Sequence, residues 1–212
     1  MEISNFLDKG GLLVWPIILC SIIGTTIFFE RLTLYRKIQN YFSHESDLRK
    51  LLLEGKFDQV KKYLQSDIAK FSADKRMLLE AIDLPNSDRE IMEMVVVHGV
   101  SREVANLSRT LGTLAILASV CPLLGLLGTV IGMIKAFMVV ETMGGSVNAA
   151  VLAGGIWEAM LTTAFGLIAA IPLLFYHNHL ENRLHLIQAE LEEVAICFVK
   201  TWSRMNNNVQ VV

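Results

Sequence analysis

Three stretches of the chain run apolar without a charge, and the segments around them switch to apolar residues returning every third or fourth position among charged ones. Leu12 to Phe29 is an uncharged run of 18 residues, Leu111 to Ile134 one of 24, and Ala159 to Tyr176 another of 18 that extends N-terminally through Glu158 to Ala149. At 1.5 Å rise per residue, runs of this length match the roughly 30 Å hydrocarbon core of a bilayer, so each predicts a transmembrane helix. Each holds one proline (Pro16, Pro122, Pro172). A proline in the interior of a water-soluble helix costs about 3 kcal/mol but is tolerated among packed membrane helices. The first run predicts a retained span rather than a cleaved leader. It exceeds a usual leader's apolar core, only Lys9 precedes it, and Glu30-Arg31 follows with no small-residue cleavage site. A short linker, Thr142 to Asn148 with Gly144-Gly145 inside it, predicts an antiparallel hairpin of spans two and three.

Residues 31–109 alternate apolar and charged positions at helical spacing, with breaks near Gly55, Ser72 and Pro85-Asn86, which predicts several helices. Ser87 followed by Glu90 has the spacing of a capping box, and the helix it opens can run through Arg109 into span two. Beyond span three, Leu180, Leu184, Ile187, Leu191, Val194, Phe198 and Trp202 form a stripe on a helix that continues the span. That stripe needs a partner, most simply the extension of span two or a neighbouring subunit. Asn206-Asn207-Asn208 reads as a frayed end. The reading is all-α and polytopic: an outward N-terminus (1–11), spans at 12–29, 111–140 and 149–176, a cytoplasmic helical segment (30–110), a periplasmic linker (141–148), and a cytoplasmic helix and tail (177–212).

Composition agrees, with 53% apolar and only 19% charged residues, against about 25% charged in an ordinary soluble domain. A net charge of −2 and the lack of a basic stripe argue against nucleic acid. Orientation follows from the basic flanks. Arg31, Arg36 and Lys37 follow span one, Arg102 and Arg109 precede span two, and Arg183 follows span three, which places these ends in the cytoplasm. Three cysteines, two of them within spans, fit that placement.

Motifs for catalysis, nucleotides and metals do not emerge. GLLGTVIG at 125–132 lacks the Lys-Ser/Thr of a phosphate loop, His177 and His179 point to nearly opposite sides of a helix, and no nucleophile motif occurs. The sequence therefore predicts no enzyme activity, no cofactor and no metal. Small and polar residues inside the spans are more informative. Ala118, Pro122, Gly125, Thr129, Gly132 and Ala136 fall within about 80° on span two, and Gly155, Ala159, Thr163, Gly166 and Ala170 share one side of span three. Gly128-x-x-x-Gly132 is a packing spacing, so Gly125, Gly128, Gly132, Ala159, Gly166 and Ala170 read as helix-packing positions. Thr129 and Thr163 bring hydroxyls that line a narrow wet passage or bond a partner helix. Glu158 is the one acidic residue deep in a span, where a charge costs about 2.5–3.5 kcal/mol, so it reads as facing a cavity or a partner. Helical arithmetic puts it about 40° from Thr162 and about 140° from Thr163. Lys135, near the outer end of span two, reads as a snorkelling cation.

Several stretches together resemble the MotA/TolQ/ExbB family of proton-channel subunits, nearest its ExbB branch. They are Trp15 to Ser21 (WPIILCS) with Glu30-Arg31, PLLGLLGTVIGMIKAF from Pro122 to Phe137, and LAGGIWEAMLTTAFGLIAAIP from Leu152 to Pro172. The resemblance implies a bacterial inner-membrane protein forming a pentameric homo-oligomeric ring around the transmembrane helices of an ExbD-like single-span partner. Proton flow through that assembly would drive a TonB-like protein in outer-membrane import. It also implies that Thr129 and Thr163 are the pore-lining threonines and Glu158 the family's intramembrane acid. Lys135 departs from that pattern. Two other functions fit the same residues: a TolQ-type subunit serving envelope integrity, and a non-conducting helical scaffold. A MotA-type stator fits less well, because that branch usually has four spans.

Overall fold

Long apolar and amphipathic runs with few internal breakers fold here as helices, and the described residues contain no strand. In this computed structural model, residues 11–44, 46–65, 73–84, 88–142 and 149–209 are described. The helices are α1 (Val14–His44), α2 (Ser46–Leu53), α3 (Phe57–Gln65), α4 (Lys75–Ile82), α5 (Arg89–Thr142) and α6 (Ala149–Val209). Helices α1, α5 and α6 are long and apolar enough to cross a membrane. Each continues well past the apolar run that the sequence marks out. Pro16 sits in the first turn of α1, where its missing N–H removes no helical bond. Pro122 and Pro172 lie inside α5 and α6.

The chain divides into two units. One takes its described residues from Met1–Glu30 and Thr110–His179, the other from Arg31–Arg109 and Leu180–Val212. In the first, the apolar unit, α1 comes against both other helices at Gly24, whose missing side chain makes room for Leu114 and Leu173. One turn further on, Phe28 stacks on Tyr176 at 4.1 Å between ring centroids and meets His179 edge-on. The linker residues 143–148 lie outside the described residues, as does Ser87 of the expected capping box.

The second, polar unit is a helical assembly with a conventional core of Tyr35, Phe42, Leu48, Leu52, Leu64, Met77, Met92 and Phe198. The α2–α3 turn closes on Gly55, in the left-handed region at φ 70, with the Gly55 amide donating to Leu52 and the Lys56 amide to Leu51. A side chain at 55 would also press on the Met205 thioether, which is flexible enough to shift, so it is the left-handed φ that requires glycine there. The stripe of α6 from Leu180 to Phe198 is buried. Part of what covers it comes from the middle segment: Phe57 of α3 lies 5.4 Å from Phe198 and 5.7 Å from Trp202. Arg49 of α2 grips Glu190 and Glu193 of α6, each at 2.7 Å. The Tyr35 hydroxyl donates to the Leu107 carbonyl at 2.8 Å, tying α1 to α5.

Candidate functional site

Helices α5 and α6 meet in antiparallel register through residues with almost no side chain. A Cβ on Gly125 would lie 3.0 Å from the Cα of Thr163, one on Gly128 would reach Thr162 at 2.5 Å, and one on Gly132 would approach Ala159 at 2.9 Å. From the other helix, Gly166 would meet the Cys121 carbonyl oxygen at 2.7 Å, and Gly155 would meet Ala136 at 2.6 Å. Ala159 and Ala170 are buried as well. The two small stripes therefore face each other within one chain. Between helices in a lipid-like setting no hydrophobic driving force remains, so close backbone approach and dispersion take its place, and small residues permit both.

The hydroxyls are distributed around this seam. Thr163 donates from Oγ1 to the Gly125 carbonyl oxygen at 3.0 Å, a hydrogen bond between the two helices. Thr129 donates within its own helix to Leu126 at 2.6 Å and lies toward the exterior. Thr162 donates to the Glu158 carbonyl at 2.8 Å and is only 2% exposed. A hydroxyl that has given its proton to a carbonyl keeps acceptor lone pairs. Each threonine can thus still receive a hydrogen bond from water, a hydronium ion or a protonated acid.

Glu158 and Lys135 come together. The Lys135 ammonium lies 3.9 Å from Glu158 Oε1. Both border a cavity of about 200 Å³ that Gly128, Gly132, Thr162 and Gly11 also line. The lysine expected to snorkel alone is therefore opposite the intramembrane acid. The structure gathers Glu158, Lys135 and Thr162 on one side of the seam, engages Thr163 in the seam, and leaves Thr129 facing outward. Thr162 is the residue that sequence reasoning passed over. Its signal was its position one turn after Glu158, on the same helix face.

Comparisons with known proteins identify the family. A family model described as the MotA/TolQ/ExbB proton channel family matches residues 58–193. An ExbB-like biopolymer transport protein of Synechocystis sp. is 33% identical, over 92% of this chain and 78% of its own length. The biopolymer transport protein ExbB of Salmonella typhimurium is 32% identical over 84% of this chain and 75% of its own. The Tol-Pal system protein TolQ of Haemophilus influenzae is 30% identical over 88% of each. With apolar helices long enough to span a membrane, glycine-packed α5 and α6, and relatives matched over most of their length, the chain belongs to the MotA/TolQ/ExbB proton channel family.

Proposed function

We propose that this protein is an inner-membrane proton-channel subunit of ExbB type. With an ExbD-like single-span partner it converts proton motive force into mechanical work by a TonB-like protein for outer-membrane import. The reading places 12–29, 111–140 and 149–176 across the bilayer, with the N-terminus periplasmic and the C-terminus cytoplasmic, as the basic flanks favour. It takes the assembly to be a pentameric ring with the partner's helices inside it. The observation that carries the reading is chemical. Thr129 and Thr163 have committed their protons to carbonyls and keep acceptor oxygens, so they can solvate and relay a proton but cannot store one.

A titrating acid must therefore come from elsewhere, and the reading takes it from a carboxylate on the partner's helix. Each proton crossing is worth about 2.3 kcal/mol per 100 mV, enough to bias rearrangement of a loosely held partner helix. The test is Thr163→Val in the full complex. Energised uptake is expected to be lost while the chain still assembles, and unchanged uptake refutes the assigned role. Proton flux into vesicles with and without an aspartate-bearing single-span partner separates conduction from scaffolding. The 30% identity to TolQ favours a second reading, a subunit serving envelope integrity. Rescue of envelope defects rather than of import in cells lacking either system would select it.

A further inference from the structure

Lys135 of α5 and Glu158 of α6 sit against the same cavity, and its geometry limits what else can enter. Glu158 presents a carboxylate, and Thr162 Oγ1, its proton already given to the Glu158 carbonyl, presents acceptor lone pairs. Hard oxygen donors of this kind, in a space of about 200 Å³ bounded by the glycine-lined face of α5, would suit a partly hydrated Na⁺. The Lys135 ammonium stands 3.9 Å from Glu158 Oε1, beside the oxygen that such an ion would bind. The third wall is main chain from the start of α1. Gly11, at φ 72, comes so close that a Cβ there would lie 2.7 Å from the same carboxylate oxygen. The site is therefore narrow, neutral in sum and supplied with its own cation.

We infer that Lys135 is a tethered counter-cation that keeps monovalent metal ions off Glu158, and so determines the ion specificity of this cavity. The inference rests on the proposed conduction for its physiological meaning, but the cation site itself can be tested without it. An ammonium on a side-chain stem cannot diffuse away or be diluted, so it holds a far higher local concentration than sodium in solution. A metal ion must displace it and part the ammonium from its counter-charge, which is unfavourable. Without the lysine, the carboxylate is left uncompensated and attracts a mobile cation instead.

The direct measurement is broadening of the sodium-23 resonance by the full chain in nanodiscs of zwitterionic lipid. The parent and Lys135→Arg should give none beyond empty nanodiscs. Lys135→Met should give broadening that disappears when Glu158→Gln is added. Lys135→Gln serves the same purpose where Lys135→Met fails to accumulate. A Met or Gln variant that broadens the resonance no more than the parent overturns the inference, as does broadening that survives Glu158→Gln. In vesicles holding the conducting complex, replacing choline by sodium should leave parent flux unchanged and slow that of Lys135→Met several-fold. Absence of any parent proton flux sinks the conduction reading instead, and the resonance measurement still decides the role of Lys135.

Discussion

The two units of this protein are built with opposite economies of side-chain size. In the apolar unit the seam between α5 and α6 is made of Gly125, Gly128, Gly132, Gly166, Ala159 and Thr162, with larger residues such as Ile17, Leu114 and Leu173 buried beside it, while Leu123, Leu126, Ile168, Ile171 and Phe175 point outward. Only 17%, 28% and 33% of the most apolar windows of α1, α5 and α6 are buried. In the polar unit the large residues are inside, with Tyr35, Leu52, Leu64 and Phe198 fully buried, and charges such as Arg49, Glu190 and Glu193 lie at the surface. The difference follows from the surroundings. In water, burying a large apolar side chain is worth about 1.5–3 kcal/mol, so large residues go in. In lipid that gain vanishes, and helices associate by approaching closely, so small residues go in.

The comparison breaks most visibly at Gly166. Gly166→Leu would drive a branched side chain into the Cys121 carbonyl and the Gly125 backbone, atoms that cannot move aside, so the chain is expected to disappear from membranes on immunoblots. Ile168→Leu, on the exposed side of the same helix, should leave its level unchanged. Phe198→Ala tests the opposite rule. It should destabilise the polar unit by about 3–5 kcal/mol, read as a lowered midpoint in detergent-solubilised urea titrations.

A pH effect of intermediate size follows from Asp74. Burial at the start of α4 pushes its carboxyl up to about 7. Between the ordinary aspartate range and 7 the folded chain holds a proton that the unfolded chain has released. The contribution of Asp74 to stability should therefore be fully present below about pH 4, fall as pH rises through 7, and level off above. Asp74→Asn should flatten that slope in melting curves taken across the range. The smallest effect belongs to Arg49→Ala. This pair of bridges to α6 is partly exposed and screened by solvent, so its removal should cost about 0.5–1 kcal/mol and matter less as salt is raised.

Much of this architecture was legible before any coordinates, because it follows from local periodicity. The charge-free runs at 12–29, 111–134 and 159–176 mark the apolar stretches of α1, α5 and α6, and Gly55 marks the end of α2. The α6 stripe from Leu180 to Phe198 shows which side of the helix is buried. What covers that stripe was not legible: Phe57 and Arg49 reach it from helices more than a hundred residues away, and no helical period connects residues on different helices. The same holds at the site. Sequence singled out Thr129, Thr163, Glu158 and the glycines by type and by angle around a single axis. That angle cannot say that the two small stripes face each other, that Thr163 spends its proton on Gly125, or that Lys135 and Glu158 share a cavity with Thr162. Periodicity in one helix sets which side a residue takes; only the register between two helices sets what that side meets.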